Sequence, residues 1–141
     1  MKNTNLKIED SSVLNFSILL CEIHDLHNGG LEKMIYKIGF HGMVEIVSNL
    51  KNALLRLENY ETELLIIGIH ILGIHDEKEQ NLAIIESIIK KYPDLKIIII
   101  SKSATTKEQG IYRKIGFKGC IIYGISQPDL GQVLMNVRNG E

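Results

Sequence analysis

The chain has 141 residues, 45% of them hydrophobic and 23% charged, which suits one domain built around a single core. Its formal net charge of -1 removes the usual electrostatic argument for binding a polyanion, which rests on clustered Lys and Arg, so this segment alone is not expected to bind nucleic acid. The two cysteines, Cys21 and Cys120, lie in apolar runs without metal-type pairing and fit a reducing cytoplasm, while no apolar run approaches the ~18 residues of a membrane span and the N-terminus lacks a signal-peptide pattern.

Residues 1–14 read as a polar N-terminal extension and residues 15–141 as one domain. The first strand is expected over Phe16 to Cys21. A helix follows in which Leu31, Met34, Ile35 and Ile38 keep helical spacing as far as Gly39, a residue suited to a left-handed cap. Met43 to Val47 is the second strand, and Ser48 is the expected cap of a helix with Leu50, Ala53, Leu54 and Leu57 inward. After a third strand, Leu64 to Ile69, a helix from Lys78 to Tyr92 turns Leu82, Ile85, Ile89 and Tyr92 inward and is stopped by Pro93.

Lys96 to Ile100 forms the fourth strand. The helix from Thr106 to Ile115 is interrupted by Gly110 and thin on its apolar side, so it is expected to be the most mobile element. Cys120 to Tyr123 is the fifth strand. Ser126-Gln127-Pro128-Asp129 opens the last helix in the manner of a capping box, with Leu130, Val133, Leu134 and Val137 inward. Runs such as Leu64 to Ile67 and Ile97 to Ile100 do not alternate with polar residues, as in strands covered on both faces. Strict alternation of strand and helix predicts an α/β, doubly wound, five-stranded parallel sheet. The working crevice of such a sheet lies beyond the carboxyl ends of its strands.

The residues at those ends carry a family resemblance. Glu22-Ile23-His24 followed by Gly30-Leu31, the run Gly68-Ile69-His70-Ile71-Leu72-Gly73-Ile74, and Ile115-Gly116-Phe117-Lys118-Gly119-Cys120-Ile121-Ile122-Tyr123 are similar in type and spacing to motifs of the receiver domains of bacterial response regulators, particularly the NarL/FixJ type. The resemblance spans about Ser17 to Glu141. It implies a flavodoxin/CheY-like (βα)5 fold with strand order 2-1-3-4-5 and a role in two-component signal transduction.

It also implies a site, which this sequence departs from. In the family an aspartate after the third strand is phosphorylated; here that position is Gly68, which has nothing to attack with. The neighbours Ile67 and Ile69 supply no carboxylate either. The acidic pair that helps hold Mg²⁺ becomes Glu22 and Ile23, too little oxygen for that ion. The conserved lysine position is Tyr123, so the cation offsetting phosphoryl charge is missing, and Cys120 takes the place of the switch aromatic or is simply a small buried apolar residue. Only Ser101 matches; it contacts phosphoryl oxygens in the family, but a serine after a strand can equally serve nearby backbone groups. Lys102 either reaches into the crevice to pair with Glu22 or Asp25, filling it together with Tyr123, or lies along the surface.

A competing site is a set of histidines. His24 and His27 follow the first strand and His70 and His75 the third, and with Glu22, Asp25 and Asp76 they are ligand types for Zn²⁺ or a similar ion, or groups that titrate near neutrality. The spacing depends on loops, so the primary expectation is no metal and no cofactor. No nucleophile elbow, Cys-x-x-Cys, Walker loop or dinucleotide fingerprint occurs; Asn28-Gly29-Gly30 suits a turn better than a phosphate site. The chain is therefore not expected to be an enzyme. The leading expectation is an atypical, phosphorylation-independent receiver acting through protein contacts as a homodimer and regulating transcription through a C-terminal helix-turn-helix domain beyond Glu141. Leu26, Ile111 and Met135 are candidate interface residues. The alternatives are a stand-alone ligand or metal sensor using the vacated crevice and a protein that sequesters a partner.

Overall fold

In a computed structural model the residues described are 17–22, 25–39, 42–72 and 78–140, with the backbone alone given for 25–29, 72, 78 and 79. The N-terminal extension, Phe16, Ile23, His24, His75 and Asp76 lie outside them. The elements, in chain order, are β1 (Ile18–Cys21), α1 (Asp25–Lys37), β2 (Val44–Val47), α2 (Leu50–Asn59), β3 (Leu64–Gly68), a one-turn α3 (Ile69–Leu72), α4 (Lys78–Lys91), β4 (Lys96–Ser101), α5 (Thr106–Ile115), β5 (Gly119–Ile122) and α6 (Gln127–Arg138). All pairings are parallel and the order is β2-β1-β3-β4-β5, as expected.

The uninterrupted aliphatic runs are explained by the two cores they serve. Even-numbered residues Ile18, Leu20, Leu64, Ile66, Ile98 and Ile100 pack with Ile35 of α1 and Leu130, Leu134 and Val137 of α6. Odd-numbered Leu19, Cys21, Leu65, Ile67, Ile97 and Ile99 pack with Leu50, Ala53 and Leu57 of α2 and Ile85 and Ile88 of α4. A side-chain period of two on a strand covered on both faces demands apolar residues at every position. Each fully buried Leu or Ile contributes about 1.5–3 kcal/mol.

Several local expectations need correction. The cap of α2 is Asn49, whose side chain accepts from the Asn52 N–H at 2.8 Å; Ser48 lies one residue too early. In α4 the buried positions are Asn81, Ile85 and Ile88, with Leu82, Ile89 and Tyr92 only partly buried, so the helix is rotated from the expected stripe. The third strand stops at Gly68, and Ile69 begins α3. Met135 is half-buried against the core on the α1/α6 side and does not project from the surface, whereas Ile111 is exposed; the Leu26 side chain lies outside the described residues.

Helix α5 starts on a full capping box: Thr105 Oγ1 accepts from the Glu108 N–H, and the Glu108 carboxylate accepts from the Thr105 N–H. The Thr105 backbone and then the Ser103 hydroxyl hold the Glu108 carboxyl below its ordinary range. Ser126 caps α6 by accepting from the Asp129 N–H.

Asn81 is the one buried side-chain amide among the described residues. Its Nδ2 donates to the Ile71 carbonyl at 2.6 Å, fastening α4 to the turn that leaves the sheet at Gly68. Replacing it with leucine keeps the volume but strips the carbonyl of its donor. Asn81→Leu should lower stability by about 1–3 kcal/mol, measured as a fall in urea midpoint with an unchanged slope.

Candidate functional site

At the carboxyl ends of the strands, Cys21 is in register with Ile67, so the chain continues with Glu22 beside Gly68, and Ser101 is in register with Ile122. Glu22 and Gly68 follow the even-numbered side of the sheet. Glu22 is fully buried, and its carboxylate lies in the volume that a side chain on Gly68 would require. A Cβ built on Gly68 would overlap the carboxyl group, standing only 2.7 Å from Oε1 and closer still to Oε2. The backbone at Gly68 does not have a positive φ, so the constraint on a larger residue here is one of space, and the Glu22 carboxyl is the group that would have to move.

A buried carboxyl group is costly without hydrogen-bond donors. Tyr123 supplies one: its hydroxyl donates to Glu22 Oε2 at 2.5 Å, a length typical of a hydroxyl on a carboxylate. Burial, and then this bond, push the Tyr123 phenol above its ordinary range. The His70 ring of α3 packs on Tyr123 with centroids 5.8 Å apart and planes tilted by 31°. Three strand ends thus close over one another, with the tyrosine that follows β5 reaching the glutamate that follows β1 across the glycine that ends β3.

Ser101 is also satisfied internally. It is buried, and its Oγ lies 3.2 Å from the hydroxyl of Tyr112 on α5; Tyr112 in turn meets Phe117 edge-on at 6.2 Å. Its partner is a side chain and not the backbone groups considered from the sequence. Tyr112 was not singled out in advance, although its place one turn after Glu108, on the inward side of α5, is the signal that could have found it. Lys102 is exposed and forms no ion pair among the described residues. Of the two readings of Lys102 the exposed surface position is the one found, and of the two candidate crevice-filling side chains it is Tyr123 that reaches the Glu22 carboxylate. Cys120 is partly buried on the α2/α4 side, and burial followed by the Glu108 charge raises its thiol.

The remaining candidates are scattered. His24 and His75 lie outside the described residues, as does the side chain of His27, and among the described residues no group of three potential ligands is close enough to hold a metal ion. The donor set also does not fit Mg²⁺, which seeks near-octahedral oxygen ligation. Position 68 offers no side-chain oxygen, position 23 is isoleucine, and Glu22 Oε2 is engaged by Tyr123.

No family model matches the sequence, and no curated protein matches it. Solved structures do. A CheY-like response regulator receiver domain protein from Methanospirillum hungatei JF-1 aligns with a TM-score of 0.71 at 17% identity, over 89% of this chain and 95% of that one. A response regulator from Thermotoga maritima aligns at 0.74 and 16% identity, over 89% and 98%. The RcsB response regulator of Salmonella typhimurium, in a structure described by its conformational dynamism for DNA interaction, aligns at 0.74 and 17% identity over 90% of this chain. The chain spans only 61% of that RcsB chain. At these identities the likeness establishes a receiver-type, CheY-like fold.

Two outcomes are expected from the packing at the strand ends. Gly68→Ala should cost about 1–3 kcal/mol by overpacking, and much less in a Glu22→Ala background, giving a coupling of roughly 0.5–3 kcal/mol in a double-mutant cycle; additive effects would contradict the overlap. Alkaline stability should also fall in two stages. Burial, and then the Glu22 charge, push the Cys21 thiol from 9.0 up to about 12, and Tyr123 is raised above 10. Both groups release protons more readily when unfolded, so the native state binds more protons and stability declines as pH rises. Loss should begin near pH 9 through Cys21 and steepen above pH 10 as Tyr123 joins. Cys21→Ala should flatten the first stage in urea melts taken across this range.

Proposed function

We propose that this chain is a receiver-type signalling module that works without phosphorylation, its conformation fixed by an internal contact in place of the phosphoryl-metal cluster. The observation that carries this reading is the Glu22 carboxylate lying in the side-chain space of Gly68 and held by the Tyr123 hydroxyl. A receiver switches when charge added at the third strand draws in a cation and a hydroxyl. Here the third strand has no nucleophile, the carboxylate is enclosed, and the hydroxyls of Tyr123 and Ser101 already have partners.

Such a module acts by contact and not by catalysis. Regulation of transcription through an attached DNA-binding domain is supported by the RcsB likeness, in which a receiver-type fold accounts for 61% of a longer chain. It is also consistent with the resemblance of the strand-end runs to NarL/FixJ-type receivers. No described helix is long and apolar enough to cross a membrane. The sensor alternative has less support at the strand ends, where the Tyr123 hydroxyl and the Glu22 carboxylate engage one another. A small cavity of about 180 Å³ persists beside Tyr123, lined by Leu31, Met34, Ile100, Ile121 and Ile125 among others, and a sensor of small apolar molecules would use that cavity instead.

The test is exposure of the protein to acetyl phosphate or beryllofluoride with Mg²⁺. Mass spectrometry should find no phosphoryl adduct, and amide NMR shifts of the strand-end residues should stay where they are. An adduct, or shifts concentrated at Glu22, Gly68, Ser101 and Tyr123, would refute phosphorylation independence.

A further inference from the structure

The two sheet edges are built differently. At the β5 edge, the stretch from Lys102 to Lys118 holds Lys102, Lys107, Arg113, Lys114 and Lys118 against Glu108 alone. Glu108 is committed to the cap of α5, and the five cations form no ion pair among the described residues. Exposed charge is a standard guard against edge-to-edge pairing. Two copies meeting there would also place like charges face to face.

The β2 edge has no such guard. Its one charged residue, Glu45, is neutralised by an ion pair with Arg56 of α2, whose guanidinium also sits 4.9 Å from the Tyr60 ring centre. Met43, Ile46, Leu55 and Tyr60 are 62%, 40%, 52% and 58% exposed, so four of the seven large exposed apolar side chains among the described residues fall on β2 and α2 or at their ends. The backbone is equally open. The Ile18 N–H donates to the Met43 carbonyl and the Glu22 N–H to the Val47 carbonyl, so odd-numbered residues of β2 face β1. The N–H and C=O groups of Val44 and Ile46 therefore point away from the sheet. Beside them a groove of about 760 Å³ runs between the edge and α2, lined by Val47, Asn52, Leu55, Asn59 and Tyr60 among others.

We infer that the β2 edge pairs antiparallel with the β2 edge of a second copy, joining two five-stranded sheets into one. A two-fold axis at Glu45 sets Val44 opposite the partner's Ile46 and Ile46 opposite the partner's Val44, so that all the outward backbone groups are satisfied by four hydrogen bonds. The contact is isologous and closes. Glu45 and Arg56 then meet their symmetry copies, and the two carboxylates are interleaved with two guanidinium groups. The open groove takes up the neighbouring α2, because helices covering one face of a continuous sheet pack side by side about 8–10 Å apart. The charge balance selects a second copy over a polyanion or a strongly charged peptide, since the edge is neutral and self-complementary.

The pairing can be tested by register as well as by mass. Residues at the two-fold form a non-hydrogen-bonded pair with Cα atoms about 4.5 Å apart, within disulfide range. Glu45→Cys in the full chain should therefore give a covalent dimer under mild oxidation, whereas Glu58→Cys on the exposed side of α2 should not. By sedimentation equilibrium the unmodified protein should be a dimer, and Ile46→Lys should raise its dissociation constant at least tenfold without changing its circular dichroism. Ile111→Lys at the other edge should leave association intact. A monomer at several hundred micromolar, a dimer indifferent to Ile46→Lys but broken by Ile111→Lys, or Glu45→Cys failing to cross-link in a protein that does dimerise would each overturn the inference. So would capture of the β2 edge by residues 1–16 of the same chain, revealed if their removal converts a monomer into the cross-linking dimer. None of these outcomes bears on phosphorylation, so this pairing and the proposed function stand or fall separately.

Discussion

The strand-end architecture depends on one constraint, the accommodation of a fully buried carboxylate. Glu22 cannot sit beneath the end of the sheet unless space and a donor are both provided, and they come from different strands. Gly68 gives the space by lacking a side chain, and Tyr123 gives the donor from 101 residues away. His70 then rests on the outer ring of that tyrosine. A missing side chain at one position and an added aromatic at another are therefore a single packing solution.

The rest of the molecule makes this arrangement rigid. The two aliphatic cores fix the register of β1 against β3 and of β3 against β4, so Glu22 and Gly68 are held side by side by the whole sheet. Asn81 anchors the turn leaving β3, and Tyr112 ties the end of β4 to α5. The hydroxyls of Tyr123 and Ser101 and the Glu22 carboxylate at the strand ends are thereby engaged with other side chains.

Much of the fold was legible because burial on two faces leaves its mark on consecutive residues. Ile97-Ile98-Ile99-Ile100 has no other economical explanation, and the cap at Ser126 is a local signal for local structure, whereas the Thr105 cap of α5 was not singled out. The short helix Ile69–Leu72 was not legible, since its Ile-His-Ile-Leu sequence continues an apolar run that reads as strand. The cap of α2 moved from Ser48 to Asn49 because both residue types cap equally well and only the onset of the Leu50, Ala53, Leu57 stripe decides between them. At the site, the departures of Gly68, Ile23 and Tyr123 from the residue types the resemblance implies could be read position by position. That Glu22 fills the place vacated at Gly68 could not, because it depends on the relative height of two neighbouring strands and on a side-chain direction. For the same reason the sequence could name Lys102 and Tyr123 as candidates for the crevice but could not say which of them reaches Glu22.

The missing Cβ at position 68 also limits which substitutions can be made singly. An aspartate introduced there alone would collide with Glu22, and a lysine introduced at position 123 alone would remove the hydroxyl that Glu22 relies on. Each of these substitutions made alone therefore disturbs a contact that the other position helps to maintain, whereas the two made together need not. Positions 68 and 123 are tied to one another through Glu22, so what either can hold depends on what stands at the other.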